Sequence, residues 1–400
     1  MTGVSTLAQA LGQIERIQDQ QTLLNTLSNQ LATGKKTQKF SGLDTNVLAT
    51  QRARTDLSAL QSYIDNITNA ERRTKLTLSA IEQFQTQAED FSSALVGLIQ
   101  ESAHQEGDPI YFDDPLTPDV TENDIIGYSS AEPDIDLETL KDLASNLYDY
   151  AVDLLNSQDG DRYLLSGADT STPPIIDTGV LDSAIATQFD DWKNGVITNN
   201  QFIANLTDRT VDNGNPDALT DSVIGYSSTL SAGTAGKVTI RVDETTELDS
   251  TILANDNGFR DVIVALSYIK SDGLGPIVDH VEIDPVTGLP NVITEGSPGA
   301  DLDEQTDNFY EIYNFISATV NKAIDNIDQQ RFRLETVRAQ IDQIKTNHEQ
   351  EINILDSTIA TIENVDINDV AVRINALQLQ LEASFGVTAR VAQLSLTNFL

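Results

Sequence analysis

The sequence predicts a mainly α protein, in which long antiparallel N- and C-terminal coiled-coil helices carry an inserted α+β outer domain. Three observations lead to this expectation. Apolar residues recur at three- and four-residue steps at both termini, two long inner segments keep a near-heptad apolar seam, and the stretch between them is acidic and mixed in pattern.

The first element carries Leu7, Leu11, Ile14, Leu24, Leu27 and Leu31 on a segment without Pro, the stripe of an amphipathic helix. It is expected to stop near Gly34, because glycine readily takes the left-handed conformation that follows a helix. Lys35 to Thr45 is polar and reads as a flexible connection. A second helix over 46–102 follows, with Leu57, Leu60, Ile64, Ile67, Thr74, Leu78, Ile81, Ala88, Phe91, Leu95 and Leu98 near one seam and Glu71 as a polar interruption.

The interior is heterogeneous. Leu137, Leu140, Leu143, Leu147, Ala151 and Leu154 mark a shorter helix ending at Asp159-Gly160, and Arg162 to Gly167 reads as extended. Beyond Pro173-Pro174 the pattern gives helices around Leu181–Trp192 and Asn199–Asp208, and then strands. Lys237 to Val242 alternates, and His280–Ile283 with Asn291–Ile293 flanks an Asp284–Pro290 turn as a hairpin would. The pentapeptide Ile-Gly-Tyr-Ser-Ser occurs at Ile126–Ser130 and at Ile224–Ser228, too short a match to define a structural repeat.

The return helix is expected from about Asp303 to Asn364, on the order of 90 Å long. Its seam runs through Leu334, Val337, Ile341, Ile344, Ile352, Leu355, Ile359 and Ile362. Between Ile344 and Ile352 the spacing is four then four through His348, a stutter that relaxes a left-handed supercoil. His348 reads as a polar register marker, with a pH-sensitive interhelical contact as the sharper alternative. The chain closes on Leu377, Leu381, Val387, Val391, Leu394, Leu396, Phe399 and Leu400, and from Ala383 to Leu400 the sole charged side chain is Arg390. Such a tail needs a partner, and two terminal helices that stay over-apolar when paired point to a subunit built to polymerise.

These elements group into three parts: 1–45 with 365–400 as a terminal helical polymerisation core, 46–167 with 301–364 as a long-helix coiled coil, and 168–300 as an acidic, solvent-facing α+β outer domain. The net charge of −38 follows that division. Residues 1–100 carry 9 basic and 9 acidic side chains, residues 101–300 carry 8 and 37, and residues 301–400 carry 7 and 16. An acidic middle repels nucleic acid and anionic membrane surfaces, so neither is expected as a partner. The absence of Cys excludes disulfides and thiol chemistry. There is no run long enough to span a membrane, and Met1–Gln20 lacks the features of a cleaved signal peptide, so any export is expected by another route.

Motifs for chemistry are few. Metalloprotease, nucleophile-elbow and phosphate-loop patterns do not occur. Asp113-Asp114, Asp190-Asp191 and Asp243-Glu244 are adjacent carboxylates, but among 62 acidic residues such pairs arise by abundance. Asp159-Gly160-Asp161 is a fragment of a calcium loop without the remaining ligands, and His280 with Glu282 is a strand-face metal cue lacking a third ligand. No catalytic residue, cofactor or metal is expected.

Three segments carry a resemblance to the flagellins and related hook-associated proteins of the bacterial flagellum. Leu31-Ala32-Thr33-Gly34-Lys35-Lys36 resembles the family's step after the first helix, Gln378–Ser384 its closing helix, and Val391–Leu400 its terminal segment. Arg162 to Pro174 is similar to a stretch of hook-associated protein 3, which joins hook to filament, whereas Phe40-Ser41-Gly42-Leu43-Asp44 departs from the Asp-Asp pair common to both branches. The resemblance implies a non-enzymatic subunit of the junction type, with the main filament flagellin as the alternative. It also implies self-assembly with other axial proteins, an export chaperone, type III export and an extracellular place on the flagellum. A secreted coiled-coil adhesin and an acidic hydrolase are the readings from other classes.

Overall fold

Apolar spacing of three and four residues produces helices where the sequence predicts them. The computed structural model describes residues 2–101, 109–112, 124–128, 137–211, 215–271, 280–293, 298–299 and 302–397. In chain order, α1 spans Thr2–Thr33 and α2 spans Val47–Glu101, with β1 (Pro109–Phe112) and β2 (Asp124–Tyr128) after them. Next come α3 (Leu137–Leu155), β3 (Gln158–Asp159), β4 (Arg162–Tyr163), α4 (Gly179–Lys193) and α5 (Asn199–Thr207). Two single-turn helices, α6 (Asp221–Ile224) and α7 (Ser228–Ser231), precede β5 (Thr239–Arg241) and β6 (Glu247–Asp249). The chain continues through α8 (Asn257–Lys270), β7 (His280–Ile283) and β8 (Pro290–Ile293), and ends with α9 (Leu302–Glu363) and α10 (Ile367–Thr397). The protein is mainly α. Its strands pair as two-stranded antiparallel sheets, β1 with β2, β3 with β4, β5 with β6 and β7 with β8.

The chain divides into two compact units, Met1–Asp65 with Gln343–Leu400, and Asn66–Asp342. In the first, α1 ends as expected at Gly34, whose φ is 66° and whose N–H donates to the carbonyl of Gln30 at 2.8 Å. The stretch expected to be a flexible connection is instead structured. Phe40–Asn46 forms a 3-10 turn, and Lys35 pairs with Asn364 in an antiparallel bridge. Sequence could not show this, because the partner backbone lies more than 300 residues away.

The second unit has a continuous core. Ile81, Phe84 and Phe91 of α2, Ala144 and Tyr148 of α3, and Ile316 and Val320 of α9 share it with Ile185, Phe189, Phe259 and Ile263. The last four belong to the 168–300 segment, so that segment contributes core as well as surface. Phe84 meets Phe259 edge to face with ring centroids 5.1 Å apart. Helix α8 was not expected at all. Residues from Gly258 to Ile269 are nearly all buried, the polar Arg260 and Ser267 among them, so burial here does not follow residue polarity. The two pentapeptides differ in structure. Ile126–Tyr128 lies in β2, while Ile224 to Ser228 turns from α6 into α7 through Gly225 at φ 93°.

Candidate functional site

The terminal helices are the feature around which a function can be built. Leu27 of α1 is buried with Val370, Ile374 and Leu377 of α10, and Leu24 and Val365 pack against them. The end of α1 therefore meets the start of α10, and the two run antiparallel. Leu381 is also buried. The rest of the expected interface divides differently. Leu11, Ile14, Leu31 and Val387 are exposed, Leu7, Val391, Leu394 and Leu396 lie within the α1 and α10 backbones, and Phe399 and Leu400 fall outside the described residues.

Pairing uses up one part of the apolar stripe and leaves another uncovered. Leu23, Val372, Leu379 and Phe385 are exposed as well, none of them singled out by the sequence reading. The available signal was the excess of apolar residues over one helical face. A helix that pairs once needs a single stripe; these carry more.

The base of the pair is fixed by a buried carboxylate. Glu363, at the C-terminus of α9, is 6% exposed. It accepts from Lys35 Nζ at 3.0 Å and from Arg54, whose Nη2 reaches both oxygens at 2.8 Å. Backbone bonds flank it: the N–H of Lys36 donates to the Glu363 carbonyl at 2.6 Å and that of Val365 to the Gly34 carbonyl at 2.9 Å. Burial alone would push the Glu363 carboxyl up, but the hydrogen bonds and charges of Arg54 and Lys35 hold it below the ordinary carboxylate value. The sequence signal was slight, since a single Glu at the end of a long helix looks like a solvated charge.

Of the expected seam, Leu60, Ile67, Leu78, Ile81, Leu334, Val337 and Ile341 are buried, and Leu57, Ile64, Ile344, Ile352, Leu355 and Ile359 are half-buried. His348, at the stutter, is buried and stacks on Tyr63 with ring centroids 6.0 Å apart. It is part of the packing.

The candidates for chemistry resolve into structure. Asp159 pairs with Arg72 in the β3–β4 hairpin. Asp243 caps its own turn, accepting from the N–H of Glu244 at 2.6 Å. Asp113-Asp114 lies outside the described residues. Among the described residues, no group of three or more His, Asp or Glu is placed to hold a metal ion, and no helix is long and apolar enough to cross a membrane. The strongest polar cluster surrounds Arg260, which is 1% exposed and donates to the Leu219 carbonyl at 2.7 Å and to Asp261 at 3.1 Å. Nearby Asp221 is held by Arg209 through both oxygens and by Asn255. Arg260 Nε makes no hydrogen bond and lies 3.7 Å from Asp221 Oδ1, so the charges of this network pair with one another.

Among curated proteins none matches the chain in sequence. Among solved structures, a chain from Vibrio parahaemolyticus assigned as a flagellar hook-associated protein aligns at 11% identity and a TM-score of 0.40, covering 80% of this chain and 97% of that one. That likeness is too distant to bear weight. The resemblance read from the sequence is borne out at the C-terminal end, where residues 317–400, which hold α9 from Ser317 onward, Glu363 and all of α10, match the family model of the bacterial flagellin C-terminal helical region.

Proposed function

We propose that the chain is a non-enzymatic structural subunit of the bacterial flagellum that polymerises through the outward faces of α1 and α10. The observation that carries this reading is an antiparallel terminal pair that keeps Leu11 and Leu23 of α1 and Leu379 and Phe385 of α10 exposed, with α10 inside the residues that match the flagellin C-terminal region. Charged groups are nearly absent from the last eighteen residues, as expected of a surface that desolvates on assembly. Assembly then means that the terminal pairs of neighbouring copies cover one another's apolar faces. Before assembly the ends of these helices far from Glu363 fray, since unpaired helical segments are marginal in water, while the end held by Glu363 stays paired.

Within the flagellum we assign it to the hook–filament junction, on the similarity of Arg162–Pro174 to hook-associated protein 3; the match of 317–400 to flagellin itself keeps the main filament as the second reading. Export proceeds unfolded, with a chaperone, to the outside of the cell. Sedimentation with and without residues 381–400 tests the subunit reading, because a polymer subunit loses self-association with its tail. Micrographs of cells labelled against 168–300 separate the two places: a band at the filament base means junction, and signal along the whole appendage means filament.

A further inference from the structure

Basic residues are scarce in this chain, 24 against 62 acidic, yet one groove gathers four arginines. It lies in the Asn66–Asp342 unit, has a volume of about 720 Å³, and is lined by Arg72, Arg73, Arg162 and Arg241 against two carboxylates, Asp159 and Asp161. Arg72 is taken by Asp159. Arg73 donates to the carbonyl oxygens of Tyr163 at 2.8 Å and Leu164 at 3.3 Å, and Arg241 to that of Glu244 at 2.9 Å. Carbonyl oxygens fix a guanidinium in place without cancelling its charge. Burial lowers the Arg73 pKa, yet an arginine remains cationic at any working pH. Ile240 and Leu334, both buried, give the lining apolar portions. The groove is thus a positive site on a chain of net charge −38.

The same unit carries an exposed tip with a carboxylate and apolar side chains. The β7–β8 hairpin ends in a tip, Asp284 to Leu289, on which Val286 is 90% exposed and Leu289 57%. No Lys or Arg occurs between Lys270 and Lys322, so the tip stands in an uninterruptedly non-basic stretch. Asp284 accepts from the N–H of Val286 at 2.7 Å and the hydroxyl of Thr287 at 2.8 Å, contacts that shape the turn and keep its carboxyl ionised. Strand β7 also meets β2, but the exposed apolar tip gains nothing from water.

We propose that this hairpin tip of one copy docks in the arginine-lined groove of a second copy. The contact is heterologous, tip to groove, and so propagates along an open polymer instead of closing a pair. It rests on the subunit reading above and adds a second surface, distinct from the terminal helices.

The absence of cysteine makes a direct test possible. Val286→Cys and Thr239→Cys are placed in separate full-length proteins; Val286 and Thr239 are both exposed, and Thr239 lines the groove. On oxidation, the mixed polymer should give disulfide-linked dimers of the two variants, and either protein alone should not. Val286→Lys should slow polymer growth about tenfold by adding a charge that the groove repels, and Arg162→Glu in the same chain should bring growth back to within about threefold of wild type. A normally formed mixed polymer without cross-links, or wild-type growth by Val286→Lys, overturns the docking. If no polymer forms even from wild type, the subunit reading fails, and the concentrated soluble mixture still decides this one: cross-linked dimers uphold the docking and their absence removes it.

Discussion

Glu363→Gln isolates the ionic base of the terminal helix pair. The side chain is isosteric and keeps one acceptor oxygen, but loses the charge that Arg54 and Lys35 share. Fully buried charge-assisted hydrogen bonds would contribute about 1.5–3 kcal/mol each. Here the Arg54 and Lys35 side chains are 49% and 40% exposed, so water already satisfies much of each cation and screens the attraction. A total of roughly 1–2 kcal/mol is the appropriate expectation. The loss belongs to the Met1–Asp65 and Gln343–Leu400 unit, whereas Trp192, the single tryptophan, is buried in the other. Urea unfolding can therefore be followed by far-UV circular dichroism, with Trp192 fluorescence as an internal control.

The pH dependence has a definite sign. Burial is the largest single influence and raises the Glu363 pKa, but Arg54 and Lys35 together bring it below its ordinary value of 4.5. A depressed carboxylate contributes stability that is present above the unfolded value and lost as pH falls through the folded one. Wild type and Glu363→Gln should thus differ at neutral pH and converge as pH drops below 4.5. Equal stability at neutral pH, a gap undiminished in acid, or an equal shift in the Trp192 transition would refute the assignment.

Three other substitutions test the remaining structure. Leu377→Asp places a charge among Leu27, Val370 and Ile374, and should destabilise the terminal pair by about 3–5 kcal/mol, seen as lost helicity with an unchanged Trp192 transition. Gly225→Ala would set a methyl group 1.6 Å from the Asp177 carbonyl oxygen at φ 93°, so the backbone must move; a loss on the order of 3 kcal/mol or more should appear in the Trp192 transition. Deleting 168–300 removes Phe189, Phe259 and Ile263 from the core that holds Phe84 and Tyr148, and should give a dye-binding, poorly soluble product. A soluble, cooperatively unfolding deletion would show instead that this segment is separable.

The long helices were legible because each buries one face, and a one-faced helix writes its period into the sequence. Helix α8 was not, since Arg260 and Ser267 are buried along with the apolar residues of Phe259 to Ile269, and polar residues that sit inside the fold do not mark a solvent face. The fixed start of the connection after α1 was hidden for another reason: Lys35 and Lys36 are held by Asn364 and Glu363, partners remote in sequence. At the terminal pair, periodicity identified the apolar positions but could not apportion them. Leu27 and Leu377 are spent inside the chain, while Leu11, Ile14 and Val387 are left over, and only the relative placement of two helices decides which is which.

That apportioning bears on how a polymer subunit can be soluble and sticky at once. In the Asn66–Asp342 unit a buried guanidinium, Arg260, donates to the carbonyl of Leu219 and to Asp261 while its Nε faces Asp221 at 3.7 Å, and Asp221 accepts from Arg209 and Asn255. Paired buried charges tie α6 and α8 to one arrangement, because any other packing would leave a charge unpaired in a dry interior. The described core of the terminal pair is smaller, Leu27 with Val370, Ile374 and Leu377. Its register is supplied at one end by the Glu363 contacts, and beyond them nothing in the described pairing covers Leu23, Leu379 or Phe385. A fixed register with an incomplete core suits the assembling surface proposed above: the helices would meet their neighbours already in the right orientation, and the next subunit would contribute the apolar area that completes the core.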